Sequence, residues 1–233
     1  MNANRKTAII VGILFITATI AFSLGTILLD PIFGASDYLT SASENKNQVI
    51  IGAFLVLIDS VAVVGIGIAM YPILKKHNEI LALGYAGARI IEGVLFIVNV
   101  IAILTLLTLS QEFVKAESPD ASYYHTLGAV LLAVSNWAYL FGLGLAFALS
   151  ALILNFVLYQ SKFVPQWLSG WGFIGAVLVF ANFLLQSFSI NPIEILFIPI
   201  AVQEMVFAVW LIVKGFNPSV VAFGSAKTET NRL

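Results

Sequence analysis

Four ionisable side chains interrupt otherwise apolar stretches of this sequence, and their types and spacing suit chemistry inside a membrane. They are Asp59, Arg89, Glu92 and Glu204. A charge near the centre of a bilayer costs at least about 2.5–3.5 kcal/mol, so such residues usually pair with one another or serve a function. Arg89 and Glu92 are three residues apart and therefore share one face of a helix. Ion pairing, proton exchange and the binding of a charged ligand are the chemistries open to them.

All four residues are predicted to lie at a similar depth. At 1.5 Å per residue, each side chain falls close to the bilayer centre in the apolar stretch that contains it. The amides of Asn136 and Gln203 reach the same layer. We therefore predict one buried polar cluster with the guanidinium of Arg89 at its centre. The predicted ligand-binding site consists of Asp59, Arg89, Glu92, Asn136, Gln203 and Glu204.

The charges of this predicted cluster do not balance. Three carboxylates face one guanidinium, so full ionisation would leave excess negative charge in a medium of low dielectric constant. We expect at least one carboxyl group to hold a proton, or the site to bind a cation or cationic ligand. The alternative is a purely structural ion pair between Arg89 and Glu92, with Asn136, Asn182 and Gln186 as interhelical contacts worth about 0.6 kcal/mol each.

Six apolar stretches are long enough to position these residues within a membrane. A spanning helix needs about 20 mostly apolar residues. The continuous rather than alternating hydrophobicity favours helices over strands. The predicted spans are Thr7–Leu29, Val49–Leu74, Ile80–Leu109, Leu127–Tyr159, Gln166–Phe188 and Ile193–Val213.

Basic residues outside the spans gather on one side of the predicted bundle. Lys46 and Lys115 are the two on the opposite side, which also carries several acids. The positive-inside rule then predicts that both termini are cytoplasmic. The eight basic residues on the predicted cytoplasmic side are Arg5, Lys6, Lys75, Lys76, Lys162, Lys214, Lys227 and Arg232.

The composition excludes several classes of protein. The chain of 233 residues is 60% hydrophobic and 10% charged, with a formal net charge of −1. Such a chain lacks the basic face that a nucleic-acid-binding protein needs. It has no cysteine, which excludes disulfides and thiolate metal sites. His77 and His125 are predicted to lie on opposite sides of the membrane, so they cannot bind one metal ion together. The sequence predicts no catalytic residue, no metal site and no cofactor, so an intramembrane enzyme is the third interpretation.

Three segments resemble a known family. They are Tyr85–Glu92, Pro165–Gly172 and Gln203–Phe216. They are similar to the bacterial and archaeal family called domain of unknown function 4386, and the resemblance covers roughly residues 5–216. It implies a prokaryotic integral membrane protein and no particular activity. It also directs attention to Arg89, Glu92 and Glu204.

Together these observations predict an all-α polytopic bundle in the plasma membrane. Residues 1–216 are expected to form the six-helix transmembrane domain, and residues 217–233 a flexible cytoplasmic tail. The first functional hypothesis is binding or translocation of a small ligand, proton or cation at the midplane cluster. The second is a non-transporting sensor or interaction subunit with structural charges. Expected partners are the lipid bilayer and such a ligand, but no nucleic acid. A homo-oligomer is also compatible with the sequence.

Overall fold

The computed structural model describes residues 3–116, 121–191 and 193–217, and every regular element in these ranges is helical. A π-helical segment, Leu140–Phe147, joins the fifth helix to the sixth, and a 3-10 turn, Glu194–Phe197, precedes the eighth. The helices are α1 (Ala3–Phe33), α2 (Tyr38–Glu44), α3 (Lys46–Leu74), α4 (Glu79–Lys115), α5 (Ala121–Tyr139), α6 (Ala148–Ser161), α7 (Gln166–Ser187) and α8 (Ile198–Val213).

The prediction of six apolar helices is confirmed for the described residues. Six helices are long and apolar enough to cross a membrane, and the fourth runs from Ser122 to Ser161 through the π-helical segment. The third extends beyond the predicted Leu109 to Lys115. The short α2 was not predicted. The predicted tail over residues 217–233 lies, after Asn217, outside the described residues.

Local sequence signals explain where α4 and α7 begin. The side chain of Asn78 accepts a hydrogen bond from the backbone N–H of Leu81 at 3.0 Å, which caps α4. Pro165 directly precedes α7 and has no N–H to leave unpaired. The cap matters for the site because it fixes the first residue of the helix that carries Arg89.

The six long helices form a closed ring. In order around the ring, the neighbours are α1, α3, α4, the α5–α6 helix, α7 and α8, and α8 packs again on α1. The ends at Ala3, Leu74, Ser161 and Val213 lie on what we call the terminal side. The opposite end, with α2 and the turn between α7 and α8, is the loop side. A ring of this kind can enclose a space at its centre.

The terminal-side half of the ring is filled by a large apolar cluster. Its largest side chains include Phe15, Met70, Phe163 and Phe207, each no more than 1% exposed. Phe15 and Phe207 meet edge to face with ring centroids 5.5 Å apart. This packing fills the interior of the ring between its middle and the terminal side.

Arg5 fastens the first helix to the last on the terminal side. Its guanidinium donates to the backbone carbonyl oxygens of Leu211 at 2.9 Å, Val213 at 3.2 Å and Ile212. These carbonyls end α8 and have no partner within the helix. A cation at a helix C-terminus also interacts favourably with the helix dipole. Arg5 therefore stabilises the junction that closes the ring.

Candidate functional site

The centre of the site is a stripe of buried residues along α4. Tyr85, Arg89, Glu92, Phe96 and Asn99 follow one another at spacings of three or four residues, and each is at most 5% exposed. This spacing places them on one face of the helix. The predicted burial of Arg89 and Glu92 is therefore confirmed.

Each of the three guanidinium nitrogens of Arg89 donates to a partner. Nη1 donates to both carboxylate oxygens of Glu92 at 3.2 Å. Nη2 donates to Oε1 of Glu204 at 3.3 Å, which joins α4 to α8 across the ring. Nε donates to the hydroxyl of Tyr85 at 3.3 Å. We call Tyr85, Arg89, Glu92 and Glu204 the Arg89 network.

Aromatic rings surround the guanidinium of Arg89. Its carbon lies 5.4 Å from the ring centroids of Phe15 and Phe147 and 5.7 Å from that of Tyr85. A cation within about 6 Å of a ring centroid is attracted to the ring's π-electrons. Phe15 comes from α1 and Phe147 from the π-helical segment, so aromatic side chains of two other elements contact the guanidinium.

Gly67 of α3 allows α4 to approach closely beside Arg89. A Cβ atom at this position would lie 2.8 Å from Cβ of Arg89, closer than real Cβ contacts. Small residues are typical of close helix contacts in membranes because they permit the backbones to approach. The absence of a side chain at position 67 thus permits the close contact between α3 and the part of α4 that carries Arg89.

A cavity of about 450 Å³ occupies the loop-side half of the ring, next to the Arg89 network. All six long helices contribute to its wall. The exposed residues at its rim include Ser23, Glu194 and Ala201, so the cavity opens near the loop side between α1 and α8. Its remaining lining residues are Phe15, Ala18, Thr19, Phe22, Asp59, Val63, Ile66, Arg89, Glu92, Phe96, Tyr139, Leu143, Phe147, Gln186, Phe197, Ile200 and Glu204.

Asp59 lies in this cavity wall but outside the hydrogen bonds of the Arg89 network. It is 3% exposed, and its buried Oδ2 has no hydrogen-bond partner among the described residues. A buried carboxylate without a partner is costly in an apolar medium. The structure therefore brings together four of the six predicted site residues: three in the network, and Asp59 beside it.

The other two predicted site residues do not line this cavity. Asn136 is exposed and does not line the cavity at Arg89. It lines two neighbouring pockets, one with Trp137 and Ser189 and one with Asn99, and both share Tyr139 with that cavity. Gln203 is 2% exposed, but its Nε2 donates to Oδ1 of Asn155 at 3.4 Å and to the carbonyl of Leu168 at 3.2 Å. It faces α6 and α7. The prediction took account of the depth of Asn136 and Gln203 along their helices but not of the direction of their side chains.

Sequence reasoning missed the aromatic part of the site. Phe22, Phe96 and Tyr139 form a group with ring centroids 5.5–6.4 Å apart, and all three line the cavity. Tyr85 could have been found, since it is four residues before Arg89 and so shares its face. The group of three rings comes from three helices, and spacing along the chain gives no signal for it.

The described residues contain no group of three or more His, Asp or Glu side chains arranged to hold a metal ion. The wall combines carboxyl groups, one guanidinium and many apolar side chains. Such a wall can bind a small molecule through its apolar surface and orient it by charge.

Comparison with known proteins places the chain in a family. No curated protein and no solved structure matches it. A family match extends over residues 10–215, from the second turn of α1 to the end of α8, and includes every member of the Arg89 network. The chain belongs to the family described as Domain of unknown function (DUF4386).

Proposed function

We propose that this protein binds a small ligand within the membrane, in the cavity beside the Arg89 network. The observation that carries the proposal is the cavity itself, of about 450 Å³ and bordered by Asp59, Glu92 and Glu204. Its volume lies within the range of about 300–1,000 Å³ that is typical of small-molecule sites. Intramembrane ionisable residues that line a cavity commonly mark a pathway or binding site.

The ligand would enter from the loop side. The exposed residues Ser23, Glu194 and Ala201 border the cavity there, whereas the apolar cluster around Phe15 and Phe207 fills the terminal-side half. Translocation would need a second conformation in which the cavity reaches the terminal side, as in alternating access. Binding is thus the primary proposal, and transport an extension of it.

The charge distribution supports an orientation for this site. The basic residues at Arg5, Lys75, Lys162 and Lys214 lie on the terminal side. By the positive-inside rule, the terminal side and both chain ends would face the cytoplasm, with the cavity open to the outside of the plasma membrane.

The pairing of all three guanidinium nitrogens favours a structural role for Arg89. Each of its nitrogens already has a partner in Tyr85, Glu92 or Glu204. Arg89 would therefore hold the carboxyl groups in place at the end of the cavity. The group open to contact with a ligand is then Asp59, together with the aromatic wall.

Cysteine accessibility tests whether the cavity is open to solutes. The natural chain has no cysteine, so single thiols can be introduced without background. Thr19 lines the cavity, whereas Thr105 is exposed on α4 and does not. Thr19→Cys and Thr105→Cys would be reconstituted in lipid nanodiscs and treated with [2-(trimethylammonium)ethyl] methanethiosulfonate, which does not enter the bilayer core.

We expect Thr19→Cys to react and Thr105→Cys to remain unmodified. Thr105 lies nearer than Thr19 to the loop-side end of its helix, so depth alone would favour the opposite order. Unreactive Thr19→Cys in folded protein would overturn the proposal, because a ligand could not reach the cavity either.

A further inference from the structure

The chemistry of the cavity wall specifies the class of ligand, if the proposed function holds. Four carboxyl groups line it, from Asp59, Glu92, Glu194 and Glu204, whereas Arg89 is the one basic residue among its lining residues. The wall therefore attracts positive charge and repels anions, even after Arg89 has paired with Glu92 and Glu204. In a medium of low dielectric constant such an imbalance acts strongly on a bound charge.

Asp59 is the carboxyl group available to a cation. Arg89 donates to Glu92, Glu204 and Tyr85, and no hydrogen bond joins it to Asp59 within the described part of the chain. Asp59 is 3% exposed, its Oδ2 is unpartnered, and it lines the cavity. A group with these properties is completed by a positively charged ligand atom placed beside it.

The aromatic part of the cavity wall suits an organic cation. Phe22, Phe96 and Tyr139 line the cavity, and the cation–π contacts of Arg89 fall on Phe15, Tyr85 and Phe147 instead. Aromatic rings grouped in this way recognise ammonium groups and their apolar substituents.

An inorganic divalent ion does not fit this wall. Calcium takes six to eight oxygen ligands at about 2.3–2.6 Å. The described residues contain no acidic or histidine group arranged for a metal, and Glu92 directs both oxygens at Arg89. The mixture of one buried carboxyl group without a partner and several rings favours a molecule that carries one charge on an apolar body.

We propose that the ligand is a lipophilic organic monocation, such as a substituted ammonium, with its charge beside Asp59. Its apolar body packs against Phe22, Phe96 and Tyr139. It enters between α1 and α8 from the loop side and rests on the Arg89 network.

Three probes that share a benzyl group test this proposal. They are benzyltrimethylammonium, which is cationic, benzyl alcohol, which is neutral, and phenylmethanesulfonate, which is anionic. Each would be titrated against the labelling of Thr19→Cys described above, and the concentration that halves the labelling rate would be measured. The same series would be repeated in Thr19→Cys with Asp59→Asn added, and in Thr19→Cys with Glu112→Gln added as a matched control.

We expect the cation to protect at a concentration at least about tenfold below that of the other two probes, a ratio equivalent to one modest charge interaction. Asp59→Asn keeps the shape of the side chain and should remove most of this preference without changing protection by benzyl alcohol. Glu112 is exposed and pairs with Lys115, outside the cavity, so Glu112→Gln should behave like the parent.

Equal or stronger protection by benzyl alcohol or phenylmethanesulfonate would overturn the cation proposal while leaving a binding site. Protection by none of the probes, or an unchanged cation preference in Asp59→Asn, would overturn it as well. The proposed function itself falls only if Thr19→Cys does not react. The comparison of the three probes needs no change at Asp59, so it stands even if Asp59→Asn folds poorly.

Discussion

At the scale of single residues, Arg89 shows how a membrane bundle can contain several charges. Its guanidinium forms ion pairs with Glu92 on its own helix and with Glu204 on α8, and it is itself 2% exposed. Removing one partner of a buried pair strands the other charge, which costs more than the pair contributes when intact. Arg89 is consequently the residue whose loss should affect folding most.

Arg89→Met should lower the free energy of unfolding by about 3–5 kcal/mol, because Glu92 and Glu204 would be left buried without a counter-charge. The measurement is reversible unfolding in mixed micelles with increasing dodecyl sulfate. Adding Glu92→Gln and Glu204→Gln to Arg89→Met should restore much of the loss, since the stranded charges disappear. A triple variant as unstable as Arg89→Met would show that lost packing, not stranded charge, is responsible.

The sequence predicted depth at the residue scale better than direction. Counting residues placed Asp59, Arg89, Glu92 and Glu204 in one layer, and they do line one cavity. Asn136 and Gln203 were assigned to the same layer, but Asn136 lines pockets beside the cavity and Gln203 contacts Asn155 and Leu168. Glu204 and Gln203 are neighbours in the chain and so differ by about 100° around the helix. Depth alone could not separate them.

At the scale of elements, the π-helical segment helps to explain why the depth of Asn136 could be predicted and the direction of its side chain could not. Leu140–Phe147 lies between Asn136 and the buried part of α6. Each residue that a π turn adds rotates the preceding residues by about 100° relative to a continuous α-helix. An apolar sequence gives no signal for such a turn, so the face on which Asn136 lies could not be predicted.

The contact of α3 with α4 supplies a prediction at the same scale. Gly67→Ala should lower the free energy of unfolding by about 1–3 kcal/mol, because the new Cβ would overlap Cβ of Arg89 and push the helices apart. Unfolding in mixed micelles measures this effect.

Gly87→Ala is the matched control on α4. A Cβ at Gly87 would meet nothing within 4 Å. Alanine has the higher helix propensity, by up to about 1 kcal/mol, so this variant should be as stable as the parent or more stable. Equal effects of the two substitutions would contradict a packing role for Gly67.

At the scale of the whole molecule, the number of spans could be predicted from the sequence and the central cavity could not. Hydrophobicity and length determine each span separately, and all six predictions correspond to helices in the structure. The ring and its cavity of about 450 Å³ depend on which faces meet and how tightly. Those contacts involve residues far apart in the chain, such as Gly12 of α1 against Ala208 of α8.

The proposed orientation predicts the sidedness of two exposed positions. Glu44 lies on the loop side and His77 on the terminal side, and both are exposed. In intact cells, Glu44→Cys should react with a maleimide that cannot cross membranes, while His77→Cys should react only after the cells are broken. Labelling of His77→Cys in intact cells, with Glu44→Cys protected, would reverse the orientation and the direction from which the cavity is reached.

A cavity that opens at one side and ends at Arg89 has an electrical consequence. Water filling it would carry the potential of the loop-side solution to the middle of the bilayer. The transmembrane voltage would then fall almost wholly across the apolar packing around Phe15 and Phe207. An elementary charge that crosses the full voltage changes its energy by about 2.3 kcal/mol per 100 mV. A charge moving from the Arg89 network to the terminal side would therefore gain or lose nearly that amount over about half of the hydrocarbon thickness.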